Sequence, residues 1–90
     1  MYLYLGQNTV VEASSIVAIF DMDNTTGSRI TRDFLNRAEK DGRVINVSED
    51  LPKSFVICNE GGKTLVYLSQ LASTTLMRRS GTIFEQAGGI

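Results

Sequence analysis

Tyrosine and leucine alternate from Met1 to Leu5, Gly6 interrupts them, and two further runs follow, Thr9-Val10-Val11 and Ser15-Ile16-Val17-Ala18-Ile19-Phe20. Alternation at period two and short β-branched runs predict strands, so residues 1–20 read as a β-meander. From Asp21 to Ser28 the chain turns to Asp, Asn, Thr, Gly and Ser, which build turns and cap helices. The period then changes. Ser28 is placed to cap a helix over Arg29–Lys40, with Ile30, Phe34, Leu35 and Ala38 on one side. Arg29, Arg32, Asp33, Asn36 and Lys40 lie around the other, and Gly42 stops the helix. Strands return at Arg43–Val47, Lys53–Cys58 and Lys63–Leu68, with Ser48–Pro52 as a loop and Asn59-Glu60-Gly61-Gly62 as a hairpin turn. A short helix over Ser73–Arg79, capped by Ser73 and ending near Gly81, precedes a tail, Gln86–Ile90, that is expected to fray.

These elements predict an α+β domain: a small, mostly antiparallel β-sheet of about five to six strands, one main helix and a short C-terminal helix. Ninety residues at 42% hydrophobic content support one core, domains usually running to roughly 100 residues or more. One domain over residues 1–85 is expected, since no repeat or low-complexity linker marks a second.

Three strands are apolar on both faces: Ile16, Ala18 and Phe20 against Val17 and Ile19, Phe55 and Ile57 against Val56 and Cys58, Leu65 and Tyr67 against Val66 and Leu68. A strand with one wet face would alternate instead. Covering both faces takes layers, and the pattern supplies one helix of about three turns and another of about two. Self-association is the economical way to cover the rest, so a homo-oligomer is expected. The alternative is a sheet that curls into a half-barrel on its own second face.

Charge and cysteine content narrow the function. Nine Lys+Arg against ten Asp+Glu give a net charge of −1, so nucleic-acid binding could come only from local patches. Cys58 has no second cysteine and lies in an apolar run, which suits a buried hydrophobe in a reducing compartment. With no histidine and one thiol, neither a metal nor another cofactor is expected. The N-terminus lacks a basic start and long apolar core, and no apolar run approaches the ~20 residues that cross a bilayer. A cytoplasmic protein without membrane association is therefore expected.

One motif carries chemistry. Ile16-Val17-Ala18-Ile19-Phe20-Asp21-Met22-Asp23-Asn24-Thr25 resembles the first motif of haloacid-dehalogenase-type phosphatases, in which Asp21 would be nucleophile, Asp23 acid/base and Thr25 a positioning hydroxyl. Lys53 and Lys63 could be offered as the family's lysine, but no late acidic pair follows and Thr26 stands where an apolar residue is usual. The reading taken is a solvated turn in which an Asp or Thr side chain bonds its own backbone, and no enzyme is expected.

Basic residues gather in two places. Arg29, Arg32, Arg37, Lys40 and Arg43 fall in and just after the main helix, diluted by Asp33, Glu39 and Asp41; Arg78 and Arg79 end the second helix; Lys53 follows Pro52. Arg29, Arg32, Lys53, Arg78 and Arg79 are the candidates for phosphate contact. The competing readings are a solvated helix face with pairs such as Arg29 with Asp33, and arginines that complement a helix dipole. Repetition around a ring would turn a weak patch into a useful one.

The order of these pieces carries a wider resemblance. Leu5-Gly6, Val10-Val11 leading to Ile16–Phe20, an Arg-rich helix, Asp50-Leu51-Pro52-Lys53-Ser54 before a strand, then Tyr67-Leu68-Ser69, Ser73-Thr74-Thr75-Leu76 and Arg78-Arg79 resemble the RemA/RemB family of bacterial extracellular matrix regulators, in its RemB-like branch. The likeness runs over about Met1 to Glu85. It implies a small α+β protein from a Gram-positive-type bacterium, whose RemA-type relatives form rings and bind DNA to activate biofilm matrix genes. The arginine that those relatives need for DNA binding falls at Ser15. Their arginine pair falls near Leu51-Pro52, where Lys53 alone is basic. The resulting expectation is a transcriptional regulator acting on double-stranded DNA as a homo-oligomer, with a protein-interaction module that does not touch DNA as the alternative.

Overall fold

The computed structural model describes residues 1–22 and 29–80, and within them six strands and two α-helices form. In chain order they are β1 (Tyr2–Gly6), β2 (Thr9–Glu12), a 3-10 turn (Ala13–Ser15), β3 (Ile16–Asp21), α1 (Arg29–Lys40), β4 (Val44–Asn46), β5 (Ser54–Glu60), β6 (Lys63–Ser69) and α2 (Ser73–Ser80). The expected Ser28 cap, the Gly81 stop, the Gln86–Ile90 tail and the motif residues Asp23, Asn24, Thr25 and Thr26 lie outside the described residues.

The strands divide between two sheets, where a meander and a single sheet were expected. β1 and β2 pair only with each other, around a two-residue turn in which Gln7 and Asn8 both have positive φ, 48° and 64°, as a twisted hairpin turn requires. The other four run in the order β3-β5-β6-β4, with β3, β5 and β6 antiparallel and β4 parallel to β6. The break between β2 and β3 is the 3-10 turn. Its start is fixed by Ala13 N–H donating to the Met1 carbonyl at 2.8 Å, and Ser15 Oγ donates to the Glu12 carbonyl at 2.7 Å. β3 thus leaves the hairpin and joins β5, with a slip of register at Val17.

Alternation along β5 shows how the layers are arranged. Val56 and Cys58 point to one face, into a core with Leu3, Leu5 and Val11 of the hairpin and Leu76 of α2. Phe55 points to the other, against Phe34, Leu35 and Ala38 of α1, with Ile57 packed there too. Each such side chain withdrawn from water contributes about 1.5–3 kcal/mol. Phe55, Val56, Cys58 and Val66 are sealed within a single copy. The second face therefore does not wait for another molecule, because the hairpin and α2 together form the missing layer. Helix content alone understated the cover available. The large apolar side chains left exposed include Tyr2, Tyr4 and Val10 on the outer face of the hairpin and Val17 and Phe20 on edge strand β3.

α1 has the length that its period predicts, but Ile30 is 82% exposed instead of packed. At 100° per residue it sits about 80° from Ala38, the centre of the buried stripe, and in the first turn. At its other end the helix closes on Gly42, whose φ is +71°. Gly42 N–H donates to the Glu39 carbonyl and Arg43 N–H to the Ala38 carbonyl, at 3.0 and 2.8 Å. This paired arrangement demands a left-handed residue there, which glycine adopts without steric cost.

The hairpin is anchored to the sheet by one buried hydroxyl. Leu5 is skipped in the β1–β2 register, and its carbonyl accepts from Ser69 Oγ at 2.8 Å, while Ser69 Oγ in turn accepts from Leu71 N–H at 3.0 Å. Ser54 Oγ donates to the Leu71 carbonyl at 2.8 Å. Gln70 lies against the backbone of Gly6 beside this junction.

Candidate functional site

The five candidate cations are all exposed, and they occupy both sides of the four-stranded sheet. Arg29 and Arg32 belong to α1, which covers the Phe55 face; Arg78 and Arg79 end α2, which covers the Val56 face. Lys53 stands immediately before β5, and its backbone is held on two sides: its N–H donates to the Ser69 carbonyl at 2.8 Å and its carbonyl accepts from Met22 N–H at 3.0 Å. The fold fixes each of them but does not gather them into one patch.

The pair of Arg29 with Asp33 that the competing reading offered does not form. Among the described residues the ion pair is that of Arg43 with Asp41, at 3.1 Å, and Arg43 also donates to the Thr64 carbonyl at 3.2 Å. Arg43 is thereby a brace between the end of α1 and β6, while Arg29, Arg32, Arg37 and Lys40 make no ion pair with a described residue. Unpaired guanidinium groups on a rigid helix are available to phosphate without an internal bond to break.

The acidic motif has a structural use. Asp21 is half-buried at the end of β3, and its Oδ2 accepts a long hydrogen bond, 3.5 Å, from Ser73 Oγ at the start of α2. The carboxylate thus joins β3 to α2, where a negative group suits the helix N-terminus. Ser73 was expected to cap its own helix, and its hydroxyl turns to Asp21 instead. Sequence reading missed this contact because 52 residues separate its partners. No group of three or more His, Cys, Asp or Glu able to hold a metal ion occurs among the described residues.

Two recesses among the described residues carry carboxylates and no cation. An open groove of about 860 Å³ between Gln7 and the Asn46–Pro52 loop is lined by Glu49 and Asp50 and by no cation. Leu51, at its rim, is 86% exposed. A smaller recess of about 370 Å³ holds Ser15 between Glu12 and Glu60. The positions at which the family resemblance places arginines therefore carry carboxylate surroundings at Ser15 and an apolar side chain at Leu51.

Behind that recess, Tyr67 is buried and its Oη donates to Glu60 Oε2 at 2.6 Å. Burial, and then the hydrogen bond and charge of Glu60, hold the phenol far above its ordinary range. Cys58 is fully buried, as its apolar setting predicted, and burial pushes its thiol up; a hydrogen bond with Ser15 pulls the other way, and the Glu60 charge adds to the rise. Neither group is disposed to act as a nucleophile. No helix among the described residues is long and apolar enough to cross a membrane.

Comparison with known proteins places the chain among regulatory proteins. The chain is 34% identical over 85 residues to extracellular matrix regulatory protein B of Bacillus subtilis strain 168, a match covering 94% of this chain and 96% of that protein. The family model described as RemA-like, extracellular matrix regulatory protein A-like, matches residues 2–79. Both are described as regulatory proteins. Since that match takes in every strand, all of α1 and α2 as far as Arg79, the chain belongs to the RemA-like family of extracellular matrix regulatory proteins.

Proposed function

We propose that the chain is a cytoplasmic transcriptional regulator of extracellular matrix genes that works as a homo-oligomer and contacts double-stranded DNA through Arg29, Arg32, Lys53, Arg78 and Arg79. The observation that carries DNA contact is the freedom of these cations: each is exposed, and none is in an ion pair with a described residue. Self-association is supported by the outer face of the hairpin, on which Tyr2, Tyr4 and Val10 are exposed. Because the cations lie on two sides of the sheet, one copy offers a duplex only part of them at a time. Several copies would repeat that part.

Duplex binding followed by fluorescence anisotropy at about 50 and about 200 mM salt tests this reading, since affinity set by several phosphate contacts falls steeply over that interval. The expected result is strong salt dependence that weakens on Arg29→Ala and Arg32→Ala, with a solution mass of several copies. A monomer that ignores duplex DNA at both salt concentrations overturns it. A second reading, an oligomeric interaction module without DNA contact, is favoured by one observation, the exposed Leu51 beside a carboxylate-lined groove. It predicts the same mass and no binding.

A further inference from the structure

The charge of this molecule is segregated. α1 carries four cations, Arg29, Arg32, Arg37 and Lys40, against two carboxylates, Asp33 and Glu39, so the helix has net charge +2 in a chain of net charge −1. A polyanion approaching the protein is turned toward this helix.

The helix also has an ordered exposed face. At 100° per residue, Arg29, Arg32, Asn36 and Lys40 fall within about 80° of one another, opposite the buried Ala38. All four are exposed. Asn36 is the amide in the middle of this stripe, with a cation on either side, and Arg29 and Lys40 at its ends stand about 17 Å apart along the axis at ~1.5 Å per residue. Beside it a shallow groove of about 530 Å³ is lined by Asn36, Arg37 and Lys40 together with Asp33 and Asp41.

We infer that α1 is laid in the major groove of duplex DNA, with Asn36 and Arg32 toward the base edges and Arg29, Arg37 and Lys40 on the flanking phosphates. This rests on the DNA-binding reading above and goes beyond it by assigning an element, a groove and base-reading residues. The chemistry fits the ligand. A major groove about 12 Å wide admits a helix, an asparagine amide matches the donor and acceptor edge of adenine, and an arginine matches the two acceptors of guanine. Cations at both ends of a stripe set the register, and the polar residue between them reads sequence.

The full chain is tested against duplexes selected by the wild-type protein from a randomised library, and against scrambled versions of them. Asn36→Ala is expected to lower the preference for the selected duplex by roughly 5- to 150-fold, the discrimination of one good base contact, with the salt slope unchanged. Lys40→Ala should instead weaken both duplexes alike and reduce the slope of log affinity against log salt by about one. Wild-type preference retained in Asn36→Ala overturns the assignment. So does binding that is lost on Lys53→Ala or Arg78→Ala but kept in every α1 variant, an outcome that leaves DNA binding itself standing. If the wild-type chain binds no duplex at low salt, both readings fall together.

Discussion

Ser69→Ala removes one oxygen from a site where it serves two bonds. Its hydroxyl donates to the carbonyl of Leu5, which the β1–β2 register skips, and accepts from the Leu71 N–H. Ser69 and Leu5 are fully buried, so water does not replace the bond between them, while the Leu71 N–H is only half-buried. An orphaned buried backbone group costs about 1–3 kcal/mol, to which the half-buried N–H adds a smaller loss, against a total stability of roughly 5–15 kcal/mol. At roughly 4–8 °C per kcal/mol for a domain of this size, the melting temperature should fall by at least ~4 °C. Ser54→Ala is the internal comparison, because Ser54 Oγ satisfies a single group, the Leu71 carbonyl. It should cost about half as much. Urea unfolding followed by circular dichroism measures both, and hydrogen exchange adds the location: amides of β1 should lose protection in Ser69→Ala before those of β5. A cost within ~0.5 kcal/mol of zero, or one no larger than that of Ser54→Ala, would refute the view that this hydroxyl holds the hairpin to the sheet.

Three further outcomes are expected. Gly6→Ala should destabilise by about 1–3 kcal/mol, because φ is +110° and the new methyl would stand 2.6 Å from Gln70 Nε2; repeating it in a Gln70→Ala background separates backbone strain, which remains, from the clash, which disappears. Tyr67 should stay protonated well above the ordinary phenol range of about 10. Its folded pKa is raised, so the stabilisation is whole below the unfolded value and is lost as pH climbs through the folded one. Absorbance titration checks this, and Glu60→Gln should bring the phenol only part of the way down, because burial is the larger cause; a return to the ordinary range would overturn that order. Cys58 should react with a disulfide reagent only as fast as the domain opens, so stoichiometric labelling of the native protein within seconds would contradict its burial.

Local periodicity made the elements legible. Arg29–Lys40 emerges from a 3.6-residue pattern with Gly42 after it, and the β5–β6 hairpin from two apolar runs around Gly61-Gly62; both are found there. What joins element to element was not legible. A strand apolar on both faces looks the same whether a helix, a hairpin or another molecule covers it, so the role of β1 and β2 as a layer over Val56 and Cys58 could not be read from their own residues. The parallel pairing of β4 with β6 and the bond from Ser73 to Asp21 likewise join distant positions. At the candidate interface, exposure of the arginines was foreseen. The freedom of Arg29 from Asp33 was not, because helical spacing permits that pair without requiring it.

The slip at Val17 has a consequence for how copies can meet. β3 is one rim of the four-stranded sheet and β4, three residues long, is the other. A rim that is kinked or very short is a poor template for hydrogen-bonding the next chain end to end, which is how ribbons grow into fibrils. Under the self-association proposed above, this disfavours an extended backbone ladder and favours side-chain contact across the tyrosine-bearing hairpin, a mode that can close on itself and stop.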